Sequence, residues 1–169
     1  MDYPTEFAKK EPYPEIREAH YDPIAVREIK KNYCSIKSET TAVLQYVYHH
    51  FVSNRFAKEI SRIFRKIGIV EMTHMDLLAA AMICFGGDPK FFDKSGAALS
   101  GGWLNYGKSL KHMLLLNLES EAAAAAGYRK SAKIVKNASL QELFLRLADD
   151  EDLHFEILRK LISEKEFWS

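Results

Sequence analysis

The sequence predicts an all-α fold, a four-helix bundle with one long crossover between the second and third helices. Three observations lead there. Apolar residues recur at helical spacing through most of the chain. Strong breakers divide those stretches at Asp22-Pro23, Ser53-Asn54, Gly86-Gly87-Asp88-Pro89 and Asn137. A polar pattern also occurs twice: Glu39, Tyr46 and then Glu71-Met72-Thr73-His74, repeated as Glu121, Tyr128 and then Glu151-Asp152-Leu153-His154.

The elements follow in order. Residues 1–21 carry Pro4, Pro12 and Pro14 with Tyr3 and Tyr13 between them. They read as an extended arm, either frayed or packed on a neighbouring subunit; residues 22–169 are the bundle domain. Asp22 followed by Pro23 is an N-cap with proline at the first helical position, and this first helix should run to about Val52. A second helix is expected from about Phe56 to Phe85, stopped by the Gly-Gly-Asp-Pro run. The third should occupy roughly Asn105 to Lys136. The fourth opens on Ser139-Leu140-Gln141-Glu142, which matches the capping box Ser-x-x-Glu, and runs to about Lys165.

The joins are unequal. Helices one and two are a few residues apart, as are three and four, so each pair should be an antiparallel hairpin. Between the hairpins lies a Gly-rich stretch, Gly86 to Asn105. Fully extended, about twenty residues span some 60 Å, longer than a helix of about 30 residues at 1.5 Å each. The stretch can run the length of the bundle and start the second hairpin from the opposite end.

Composition narrows the function. The chain has 169 residues, 47% of them hydrophobic and 28% charged, enough for one domain with a real core. Lys and Arg number 24 against 23 Asp and Glu, which gives no reason to expect nucleic acid or an anionic membrane as partner. The start is polar and acidic, so no secretory signal is expected, nor any run of about 18 apolar residues that could cross a bilayer; the expected location is the cytoplasm. Cys34 and Cys84 are the only cysteines, too few for a zinc ribbon, a rubredoxin-type site or a disulfide framework. Both read as packing residues.

The repeated pattern carries the chemistry. Positions i, i+3, i+4 and i+7 share a helix face, so Glu71 and His74 lie together with Ile67, Val70 and Leu78, and Glu151 and His154 with Leu147 and Leu158. Glu39 lies with Ile36, Val43 and Tyr46, and Glu121 with Leu118, Ala125 and Tyr128. All six polar groups sit in apolar stripes, where a lone carboxylate costs several kcal/mol to bury. Four Glu and two His on facing stripes are the ligand set with which a bundle holds two metal ions side by side, and oxygen ligands with one His per ion suit iron or manganese. Glu119 points about 200° away from Glu121, so only one faces the core, and the repeat favours Glu121. Tyr46 and Tyr128 either bond a ligand carboxylate, act as redox-active phenols or pack as core aromatics. His50 falls near the ligand stripe and is a candidate for metal uptake. One of Asp149, Asp150 and Asp152 is placed to orient a ligand His. Gly68 and Gly127 permit close helix approach.

The stretch Glu39-Thr40-Thr41-Ala42-Val43-Leu44-Gln45-Tyr46 with Tyr48-His49-His50, and the stretch Val70-Glu71-Met72-Thr73-His74-Met75-Asp76-Leu77-Leu78, resemble the bacterioferritin and manganese-catalase-like branch of the ferritin-like superfamily. The resemblance covers about residues 22 to 165. It implies two iron or two manganese ions per chain, with Glu39 terminal beside His74, Glu121 terminal beside His154, and Glu71 and Glu151 as bridges. It implies ferrous oxidation, peroxide reduction, catalase chemistry or oxygen-dependent hydroxylation. Rubrerythrins resemble the chain too, but carry a further Glu where Ala124 stands and a Cys-rich domain that has no counterpart here. Manganese catalases are longer. The expected partners are a small oxidant (peroxide or dioxygen) or ferrous iron, an electron donor the sequence does not identify, and further copies of the chain. The expectation is a di-metal oxidoreductase, with iron oxidation for storage or detoxification as the alternative.

Overall fold

The computed structural model describes residues 5–17 and 19–163; the predicted end of the last helix at Lys165 lies outside them. Among the described residues five α-helices form: α1 (Pro23–Tyr33), α2 (Glu39–Ser53), α3 (Lys58–Cys84), α4 (Leu110–Ala132) and α5 (Ala138–Ser163), with 3-10 turns at Thr5–Phe7 and Gly101–Trp103. Among the described residues there is no strand beyond one isolated bridge, Phe92 with Ala98. The main helix pairings are α2 with α3 and α4 with α5, the two hairpins, while α1 packs on α3 and α4. This is the expected bundle of two antiparallel hairpins.

The expected first helix is two helices. It starts as predicted, with the Asp22 carboxylate accepting from the amides of Ile24 and Ala25 at 2.8 and 3.1 Å. It then breaks over residues 34–38 because hydroxyls there capture the backbone: Ser35 Oγ donates to Lys31 O, Thr40 Oγ1 to Tyr33 O, Thr41 Oγ1 to Ser35 O and Ser38 Oγ to Ser35 O. Such local bonds compete with the helical ladder. The break makes Glu39 the first residue of α2 rather than a mid-helix residue, and leaves Ile36 60% exposed instead of in the apolar stripe.

Other boundaries move for similar reasons. The third helix begins at Leu110, not Asn105, because Gly107 takes a left-handed φ of 72° and Ser109 supplies the cap. At α5, Asn137 Oδ1 accepts from the Leu140 amide at 3.0 Å, so Asn137 displaces Ser139 as the cap; Ser139 Oγ instead accepts from the Arg17 amide. Cys34 is buried in the break, but Cys84 is exposed at the end of α3, so only one of the two is a packing residue. Contrary to expectation, α3 contains a stretch that is long and apolar enough, by length and composition alone, to cross a bilayer. In this fold it is a bundle helix that carries buried Glu71 and His74 inward.

The crossover does run the length of the first hairpin. It leaves α3 beside the start of α1, where the Asp22 amide donates to Phe85 O. It passes Tyr33, which stacks on Phe91 and donates to Pro89 O, and ends at the far end of α2. There Gln45 Oε1 accepts from the Asn105 amide, and His49 Nε2 lies 3.0 Å from Asn105 O. His49 is anchored by Asn117, which also accepts from Gln45 at 2.7 Å. His49 is therefore fully buried, while His50 turns to Ser61 of α3 at 2.7 Å; the metal-uptake role considered for His50 finds no support in this placement.

The arm does not stand away from the bundle. Phe7 and Ala8 are buried, and residues 5–7 contact α3 and α5.

Candidate metal centre

The six side chains singled out in the sequence meet at mid-bundle, one polar cluster inside two apolar layers. Each is at most 3% exposed. They form two overlapping sets, Glu39, Glu71, His74 and Glu151, and Glu71, Glu121, Glu151 and His154, with the donor atoms of each set within 4.8 Å of one another. Glu71 and Glu151 belong to both, and their oxygens divide between the sets. Glu71 Oε2 lies 3.3 Å from His74 Nδ1 and its Oε1 2.8 Å from His154 Nδ1. Glu151 Oε1 lies 3.1 Å from His74 Nδ1 and its Oε2 3.6 Å from His154 Nδ1. Glu39 and Glu121 belong to one set each.

The far nitrogen of each imidazole is fixed. His74 Nε2 is 3.1 Å from Asp150 Oδ2, and His154 Nε2 is 2.8 Å from the Phe7 carbonyl. A carbonyl only accepts, so His154 Nε2 carries the proton. Asp150 is held ionised: burial opposes it, but His74, the Lys9 amide and the Tyr13 hydroxyl outweigh burial and bring its pKa to about 2. His74 Nε2 therefore also donates. Both Nδ1 atoms turn to the centre. The terminal carboxylates are fixed across the hairpins, Tyr46 donating to Glu121 and Tyr128 to Glu39.

The centre is rich in atoms whose hydrogen-bonding capacity the protein does not use. Glu39 Oε2, Glu71 Oε1, both Glu151 oxygens and both Nδ1 atoms are buried without a hydrogen bond, although they approach one another closely. They gather in two overlapping groups, each small enough to surround one point. Buried polar groups left this way are costly, and a cation at each point would satisfy them; the donor set fits iron or manganese. The electrostatics agree. Burial, and then the charges of Glu71 and Glu151, push Glu39 and Glu121 well above the carboxylate range. The imidazoles lose by burial but gain more from the surrounding carboxylates, which hold them well above 6.5.

A family model described as the ferritin-like domain matches residues 35–166. The chain belongs to that family. Ferritin-like neighbours among solved structures include the manganese catalase KatB from Anabaena, at 21% identity over 91% of this chain and 78% of that one, TM-score 0.81. The bacterioferritin from Rhodobacter capsulatus aligns at 22% identity over 88% and 89%, TM-score 0.75. BfrA, a bacterioferritin from Mycobacterium tuberculosis, aligns at 18% over 88% and 89%, TM-score 0.74. Among curated proteins no sequence matches this chain.

Two features of this ferritin-like centre escaped the sequence. A cavity of about 120 Å³ between α2 and α4 reaches Glu39, Glu71, Glu121 and Glu151 from a mouth formed by Ile36, Lys37, Ser38 and Glu119. Ala123 and Ala124 line it, so the small side chains of the Ala run leave the passage open. The second is the Phe7 carbonyl, which no side-chain pattern announces. Of the acidic trio, Asp150 is the residue that reaches a ligand His; Asp152 pairs with Arg129 at the surface and Asp149 is exposed. Glu119 is exposed, as the helix geometry required.

Proposed function

We propose that this chain is a di-metal oxidoreductase that reacts with peroxide or dioxygen, holding two iron or two manganese ions through Glu39, Glu71, His74, Glu121, Glu151 and His154. The observation that carries the reading is the pair of compact, overlapping donor sets sharing Glu71 and Glu151, rich in buried atoms without a hydrogen bond. Glu71 and Glu151, whose oxygens divide between the two sets, would be shared by both ions, while Glu39 and Glu121 would each hold one.

Bound there, two such ions would supply the electron exchange with an oxidant that no side chain here provides. The protein's own part is positional. The tied Nε2 protons leave each Nδ1 lone pair facing the centre. Tyr46 and Tyr128 hold the terminal carboxylates, and their phenols are kept protonated, first by burial and then by the neighbouring carboxylates. The apolar walls exclude bulk water, while the cavity between α2 and α4 admits several water-sized molecules. The neighbours, a manganese catalase and bacterioferritins by name, support chemistry of this class.

A second reading, oxidation of ferrous iron for storage or detoxification, is favoured by the Glu119 carboxylate at the cavity mouth. Elemental analysis per chain beside a Glu71→Ala control tests the common core. About two ions, lost in the control, uphold it; paired ions retained without Glu71 reject it. Peroxide consumption against ferrous oxidation by the loaded protein then separates the readings, and size-exclusion shows whether a storage shell forms.

A further inference from the structure

The repeat that builds the centre is incomplete in one place. Matching Glu71 to Glu151 and His74 to His154 matches Val70 to Asp150. Asp150, on the second hairpin, gives His74 its acceptor; the equivalent position, which by the same symmetry would serve His154, is a fully buried valine. Something outside the four helices must supply the second acceptor, and residue 7 of the arm does, through its backbone carbonyl.

The same segment also completes the first acceptor. The Lys9 amide donates to Asp150 Oδ1 at 2.6 Å, and the Tyr13 hydroxyl donates to Oδ2 at 2.7 Å, the oxygen that His74 uses. Arg146 reaches Asp150 Oδ1 at 2.7 Å and ties the arm in turn, donating to Glu11 O and Lys9 O at 2.8 and 2.7 Å. Its guanidinium sits 4.4 Å from the centre of the Tyr13 ring. Phe7 is seated in the core below the Lys66 ammonium, which pairs with Glu6. The arm lies against α3 and α5, whereas the cavity opens between α2 and α4.

We infer that residues 6–17 are a strap that positions both ligand imidazoles, presenting the Phe7 carbonyl to His154 and, through Asp150, the Lys9 amide and the Tyr13 hydroxyl to His74, so that a metal pair is retained only while the arm is docked. The inference rests on the di-metal reading above. Groups that orient a ligand His alter metal affinity by about 10–100-fold when removed; here one such group, the Phe7 carbonyl, comes from a short segment outside the bundle, and the Lys9 amide and Tyr13 hydroxyl of that segment hold the other, Asp150, in place. Tyr13 bonds the Asp150 oxygen that His74 uses and sets its ring edge-on to His74, so its loss should act first on the position that His74 serves.

The test is release of manganese(II) from loaded protein into excess chelator, followed by the electron paramagnetic resonance of the freed ion. In Tyr13→Phe, which keeps the ring over Arg146, one release phase should accelerate about ten-fold or more while the other keeps the wild-type rate. The metal-free melting temperature should stay close to wild type. Wild-type rates in both phases would overturn the strap, and so would equal acceleration of both phases with a lowered metal-free melting temperature, which marks a merely structural contact. Failure of the di-metal reading looks different: wild-type protein then holds no pair of ions to release, or Glu71→Ala holds the pair as well as wild type does.

Discussion

The hydroxyl of Tyr46, on the first hairpin, donates to the carboxylate of Glu121 on the second. Tyr128 returns the bond to Glu39. A tyrosine from each half therefore orients a carboxylate of the other, and both rings are 1% exposed. Tyr46→Phe should destabilise the metal-free protein by about 1–3 kcal/mol, the cost of leaving a buried carboxyl oxygen of Glu121 without its donor. Chemical denaturation checks this, and the Tyr46→Phe/Tyr128→Phe double variant should depart from the sum of the two, since Glu39 and Glu121 both sit against Glu71 and Glu151 in one cluster.

Gly68 is where α3 meets that tyrosine. A Cβ added there would lie 3.1 Å from Tyr46 Cβ, a distance only a movement of α2 can relieve. Gly68→Ala gains about 1 kcal/mol of helix propensity, against about 1–3 kcal/mol for overpacking a core. The expected outcome is a lower melting temperature and a weaker metal pair. A more stable variant with unchanged metal content would show that α2 yields freely.

Asn117 is fully buried and serves both Gln45 and His49. Asn117→Ala strands two buried partners, each worth about 1–3 kcal/mol when left unsatisfied. Loosening should concentrate at the end of the crossover, so hydrogen exchange at Asn105 and Tyr106 should accelerate more than exchange in α5.

The pH dependence of the metal-free protein follows from its imidazoles. Both are held above 6.5 in the folded state, so their contribution to stability is fully present below about pH 6.5 and is lost as pH rises through the folded values. Glu39 and Glu121, raised for their own reasons, act in the same direction. Asp150 acts oppositely: lowered from 3.8 to about 2, it contributes above pH 3.8 and is lost as pH falls toward 2. Melting temperatures of the metal-free protein should therefore fall between pH 6.5 and 9. A rise over that range would contradict the charge arrangement of the centre.

Loading should reverse that trend. Protons on His74, His154, Glu39 and Glu121 balance the cluster when no cation is bound, so two divalent ions should displace up to about four protons per chain. Weakly buffered calorimetry reads this directly, and the loaded protein should melt higher than the metal-free one.

The clustering of the six side chains was legible because a Glu-x-x-His on an apolar stripe is costly without a cation, and because it occurs twice. The two hairpins and the crossover followed from where Gly and Pro fall. The break at residues 34–38 was not read, although Ser35, Ser38, Thr40 and Thr41 carry its signal; apolar periodicity on both sides hid it. His50 lay on the predicted stripe, yet the buried histidine is His49, because the crossover returns to that face and supplies two carbonyls. The contribution of Phe7 had no side-chain signature to find. Backbone acceptors become visible only when the chain is folded.

The bonds from Tyr46, Tyr128 and Asp150 all run between hairpins. A bundle held by leucine and isoleucine alone tolerates a slip of one helical turn, about 5.4 Å, at modest cost, because one apolar ridge resembles the next. Here such a slip would part three polar pairs at once. The centre thus serves the fold as a register mark: it is complete in one alignment of the two halves, and a chain that docks them in any other has no place for a pair of ions.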